Sequence, residues 1–92
     1  MPRTRLERFL HEESGLSFYF GYQRDQPDRL HVDVRGVSVE VAVTTYLEGT
    51  LQGWDDEYRR FETRTSTHGI YWTKYHQQEG HILVISCFEI KE

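Results

Sequence analysis

The stretch HILVISCFEI, residues 81–90, constrains this chain more than any other. Apolar side chains stand at both odd and even positions: Leu83 and Ile85 on one parity, Ile82, Val84 and Phe88 on the other. A strand wet on one face alternates apolar with polar. One that is apolar on both sides needs cover above and below, and so belongs inside a sheet. The rest of the chain must therefore supply flanking strands and a covering layer. Ninety-two residues suffice for one domain, 1–92, with one core. Only 37% of them are hydrophobic, but six Tyr, five Phe and two Trp are among them. Each aromatic buries a large area, so a small core can still be filled.

Leu6, Phe9 and Leu10 recur at helical spacing in RTRLERFLHEE, which predicts a short helix over 3–13 ended by Ser14-Gly15. Residues 17–24 alternate through Phe18, Phe20 and Tyr22, and residues 30–35 through Leu30, Val32 and Val34. With the turn signal DQPD between them, the two segments predict a hairpin. Residues 37–53 satisfy two periods. VSVEVAV alternates as a strand over 37–43, whereas Val39, Val43, Tyr46, Leu47, Leu51 and Trp54 form a longer helical stripe. The longer match favours a helix over about 39–52, N-capped by Ser38 and stopped near Gly53, with Trp54 as a core anchor closing it. Strands follow over 58–65, 69–76 and 81–90, the last two joined by QQEG. The expected fold is α+β, in the order α-β-β-α-β-β-β. An antiparallel sheet of about five strands carries two helices packed on it.

Few chemistries fit this residue set. Asp55, Asp56 and Glu57 are three consecutive acids in the connection after the second helix. They lack the longer run of oxygen ligands that calcium needs. They read first as a polar turn opposite Arg59 and Arg60, and second as an acidic knob facing a partner. His76 and His81 flank QQEG and would face each other across a four-residue hairpin, a weak metal-binding candidate. In that register His68 lies opposite Glu89 and Ile70 opposite Cys87, so no third ligand joins the pair. Cys87 sits in the most apolar strand, where a thiol behaves as a small hydrophobe. As the only cysteine it allows no intrachain disulfide, which fits a reducing cytoplasm. No nucleophile motif, phosphate-cradling loop or dinucleotide fingerprint is present, so neither catalysis nor a cofactor is expected.

The net charge of −4 argues against nucleic acid as direct partner, and no apolar run is long enough for a membrane helix. Nor does the N-terminal MPRTRLERFLHEES have the apolar centre of a secretory signal. Arginine outnumbers lysine, which is confined to Lys74 and Lys91, and tyrosine is abundant. That composition suits a protein-binding surface. YLEGTLQGWDDEYRRFET (46–63) and EGHILVISCFEI (79–90) give the region from about 37 to 90 a resemblance to small bacterial domains of unknown function, of the kind found among immunity proteins of polymorphic toxin systems. Those domains share a helix ending in Gly-Trp, an acidic turn and a closing apolar strand. The chain departs from them at Phe61, where Trp is usual, and over its first 36 residues. The resemblance implies an α+β fold and a binder that neutralises a partner protein.

The expected function is a small acidic protein inhibitor, of immunity, antitoxin or phage-encoded type, acting on a basic nuclease or toxin. Contacts are expected through Asp55, Asp56 and Glu57, with Tyr71 or Trp72 as anchor. The alternatives are a ligand- or metal-binding module at the His76–His81 hairpin, and a self-associating subunit, a homodimer through 81–90.

Overall fold

The structure is a computed structural model and describes residues 5–91. These residues form one α+β unit. Its strands are β1 (Leu6–His11), β2 (Leu16–Gly21), β3 (Thr50–Asp55), β4 (Arg60–Arg64), β5 (His68–Lys74) and β6 (His81–Glu89). Helices α1 (His31–Val34) and α2 (Val39–Glu48) lie between β2 and β3. The single sheet has the order β1-β2-β6-β5-β4-β3. All neighbours are antiparallel except β2 and β6, which run parallel. The expected five-stranded antiparallel sheet is thus a mixed one of six, and its apolar strand β6 sits inside it as expected.

The predicted first helix is a strand. Residues 3 and 4 lie outside the described region, but Leu6–His11 pairs with β2 along its whole length. Gly15, at φ 73°, turns the chain, and its N–H donates to the His11 carbonyl. The reason lies in β2. Phe18 and Phe20 are fully buried, so the outer edge of β2 needs a backbone partner. A lone helix of eleven residues is marginal in water, and pairing displaces it.

The hairpin predicted from residues 17–24 and 30–35 is also absent. Tyr22 and Leu30 make one isolated bridge, and Leu30 then leads into the one-turn helix α1. Its end is a Schellman arrangement. Gly36 is at φ 80° with its N–H on the Asp33 carbonyl, and the Val37 N–H reaches the Val32 carbonyl at 2.9 Å. Val32 and Val37 are both buried at that closure. α1 packs on β2, β6 and α2, where β2 stops and β6 runs on.

Helix α2 starts as read: Ser38 Oγ accepts the Val41 N–H. It ends at Glu48, short of the expected 52. Gly49 is the stop, because a Cβ there would lie 2.5 Å from the Thr45 carbonyl oxygen and 2.6 Å from Thr63 Cγ2. No other residue fits so close to β4. The remainder of the predicted helix is β3.

α2 packs on β4 and β5 and covers one face of the sheet. Ala42 and Val43 meet Phe18, Ile70, Ile82, Val84 and Cys87 in the core. The Thr45 hydroxyl, buried with them, donates to the Val41 carbonyl at 2.7 Å. An aromatic chain runs outward across this face. Phe18 meets Tyr46 edge-on at 5.3 Å, Tyr46 meets Trp72 at 4.9 Å, Trp72 stacks on Phe61 at 4.6 Å, and Phe61 meets Trp54 at 4.7 Å.

Two bulges set the register. In β3 the pairing jumps from Leu51–Thr63 to Gly53–Glu62, leaving Gln52 extra. In β6 it jumps from Tyr71–Ser86 to Trp72–Val84, leaving Ile85 extra. Each bulge puts two residues three apart on the same face.

Candidate functional site

The sequence candidates fall in three places. Asp55, Asp56 and Glu57 form the tip of the β3–β4 hairpin, between two strands and not between a helix and a strand. Asp55 Oδ1 accepts the N–H groups of Glu57 (3.0 Å) and Tyr58 (3.3 Å), so this side chain builds the turn. Asp56 Oδ1 accepts the Trp54 indole N–H at 3.4 Å. Among the described residues no cation lies within ion-pair distance of any of the three. Tyr71 and Trp72 are consecutive in β5 and point to opposite faces. Trp72 lies under α2 with its indole N–H on Thr63 Oγ1 at 2.9 Å. Tyr71 lies on the uncovered face beneath the Arg60 guanidinium, 3.7 Å from the ring centroid. The structure brings the three acids together but joins neither aromatic to them.

Other side chains accompany the acids. β3 is an edge strand, and exposed side chains run along almost all of it. Leu51 is 55% exposed, Trp54 44% and Tyr58 62%. Trp54 is thus not the core anchor predicted. α2 ends before it can cover β3, so the indole packs only on Phe61. The bulge at Gln52 turns Leu51 and Trp54 to the same face. Leu47 of α2, 39% exposed, is a further large apolar side chain open to solvent. Gly49 carried the missed signal, since a helix stopped there leaves residues 50–55 to form a strand.

The histidine pair does not assemble. The bulge at Ile85 moves the register by one, so that Lys74 pairs with Ile82. Tyr75–Gln77 then forms a single tight turn with His76 at φ 52°. His81 Nδ1 shares a 2.8 Å hydrogen bond with Tyr19 Oη, and its ring stacks on that tyrosine. The predicted pairs His68–Glu89 and Ile70–Cys87 do form, because they lie beyond the bulge. Among the described residues no three His, Cys, Asp or Glu side chains converge as a metal site. Cys87 is fully buried, and desolvation pushes its thiol pKa up.

Among the described residues no long helix covers the second face of the sheet. Tyr19 stacks on Tyr75 at 4.3 Å, and Tyr71 leans on Phe88 at 5.2 Å. Phe88 fills the space above Gly69, where a Cβ would sit 2.3 Å from the ring. Arg8 donates two hydrogen bonds to Ser17, and Arg64 pairs with Glu62. Among the described residues no helix is long and apolar enough to cross a membrane. Comparison with family models, curated proteins and solved structures finds no match to this chain, so its function has to be argued from these two surfaces.

Proposed function

We propose that this chain is a small protein-binding inhibitor of the immunity or antitoxin type. In this reading it neutralises a basic partner, such as a nuclease or toxin, through the β3–β4 hairpin. The observation that carries the reading is an edge strand exposing Leu51 and Trp54 beside Tyr58 and three acids that have no cation partner among the described residues. Trp and Tyr are the usual anchors of protein interfaces. Acids around them steer a basic partner and raise the association rate more than the final affinity. Among the described residues nothing pairs with the outer edge of β3, so a partner strand can add to it. The bulge at Gln52 interrupts that edge, which favours side-chain contacts over long strand addition.

We assign no catalytic residue and no cofactor. We place the protein in a reducing cytoplasm, where the lone buried thiol of Cys87 stays reduced. The test is affinity capture from a lysate of the source organism at low salt, with Trp54→Ala and the charge reversal Asp56→Lys/Glu57→Lys run beside the unaltered chain. A single stoichiometric basic protein should be captured, released by a salt step and lost with Trp54→Ala. Capture that ignores both variants, or no capture by folded protein, would overturn the reading.

A further inference from the structure

The uncovered face of the sheet holds a groove with two lobes. One has a volume of about 670 Å³ and is lined by Leu6, Tyr75, Leu83 and Ile85 on the sheet side and by Tyr22 and His31 on the other. The second, about 460 Å³, is lined by Arg35, Arg60, Tyr71, Ser86 and Phe88. His31 and Ile85 line both, so the lobes adjoin. Each is within the size range of small-ligand sites.

The second lobe is cationic without compensation. Among the described residues neither Arg35 nor Arg60 has a carboxylate within ion-pair distance. Arg60 lies between the rings of Tyr71 (3.7 Å) and Tyr58 (4.6 Å), and its Nε is buried with no hydrogen-bond partner. Arg60 as a whole is half-buried, and an anion at this lobe would give the unpartnered Nε a charge-assisted bond. Arg35 is held in place by its neighbour. Its Nε donates to His31 Nε2 at 3.2 Å, and since arginine cannot accept, Nε2 must carry the lone pair. The proton therefore sits on Nδ1 and is donated to Gln23 Oε1 at 2.6 Å. His31 is thus a neutral positioning residue that fixes Arg35 and leaves its terminal nitrogens free to bind.

We propose that this groove binds a small amphipathic carboxylate. The carboxylate lies between Arg35 and Arg60, and its apolar body lies over Leu83 and Ile85. The charge of the lobe selects an anion, and the adjoining apolar lobe selects one with a hydrocarbon body. Free acetate or phosphate uses only half of the groove, and a neutral alcohol only the other half. The site shares Arg60 with the base of the β3–β4 hairpin but does not depend on the inhibitor reading.

Titration calorimetry with octanoate, 1-octanol and acetate tests this on the whole chain. Octanoate should bind one to one, and about tenfold or more tighter than either control, as expected for a charge-assisted pair added to apolar burial. Arg35→Met should weaken octanoate about tenfold without altering the fold, because Arg35 is exposed at the end of α1. Arg60→Met should do the same, and Ile85→Ser should weaken octanoate while leaving acetate unchanged. His31→Gln should weaken octanoate less than Arg35→Met does. Equal binding of octanol and octanoate, insensitivity to Arg35→Met, or absence of saturable octanoate binding would each overturn the assignment.

Discussion

The β3–β4 hairpin and the open-face groove are the two surfaces this sheet leaves uncovered, and they are built in opposite ways. The hairpin is convex and acidic and comes from a single short run of chain. Its turn is closed by its own side chain, Asp55 bonding the N–H groups of Glu57 and Tyr58. The groove is concave and cationic and is assembled from α1, β4, β5, β6 and the start of β1. No two of its arginines are neighbours in sequence. A net charge of −4 conceals this division: three acids crowd the hairpin tip, while Arg35 and Arg60 line the groove. A local motif tolerates changes elsewhere in the fold, whereas a dispersed one depends on every register that feeds it.

The sharpest way to break this comparison is Gly49→Ala. A side chain there collides with the backbone oxygens of both Thr45 and Arg64. The joint between α2 and β3 must open, at a loss of about 2–4 kcal/mol. Urea denaturation should show it as a lowered midpoint, and partner capture should fall while octanoate binding in the surviving folded fraction persists. Next in size is a crossed pair of substitutions. Trp54→Ala should weaken partner binding about 30-fold or more, as for an interface anchor, and leave octanoate unaffected. Arg35→Met should do the reverse. If either variant damages both activities, the two surfaces are one.

A smaller effect is expected from Asp56→Lys/Glu57→Lys, which spares the turn-forming Asp55. Association with the captured partner should slow about tenfold at low salt and recover toward the unaltered chain as salt screens the charges. Stopped-flow mixing at two ionic strengths measures it. The smallest concerns His31. Partial burial holds its pKa below the ordinary 6.5, and the charge of Arg35 adds to this. The unfolded chain therefore takes up the proton first as pH falls. The stabilisation is complete above about 6.5 and is lost as pH drops toward the depressed folded value. Thermal melts of His31→Gln should show less loss between pH 7 and 5 than those of the unaltered chain.

The two surfaces also differ in how far the sequence announces them. Three adjacent acids and a tryptophan are visible in any reading, and the hairpin tip was expected as a polar turn. Arg35 and Arg60 meet only through the pairing of β4, β5 and β6, which no local pattern encodes. The errors in the predicted elements share one cause. Bulges imitate helical spacing: Leu51 and Trp54 stand three apart and face the same way because Gln52 is extra, and that spacing extended the predicted helix beyond Gly49. The same device in β6 brings Val84 and Cys87 to one face and displaces His76 from His81. In α1 the error ran the other way. The alternation from Leu30 outweighed a glycine at 36 that closes a turn by a Schellman pair. What read correctly was what local chemistry decides: Ser38 as a cap, the aromatic strand β5, and the apolar β6 inside the sheet.

The parallel pairing of β2 with β6 bears on how the chain acquires its shape. β6 is the last strand in sequence, yet it holds the β1–β2 hairpin on one side and the β5–β4–β3 meander on the other. During synthesis the first hairpin therefore has no sheet to join until β6 has left the ribosome. Its two core phenylalanines wait exposed for a partner more than half the chain away. Folding is thereby delayed until β6 emerges, and a nascent chain stalled before β6 presents apolar hairpins to chaperones or to other chains.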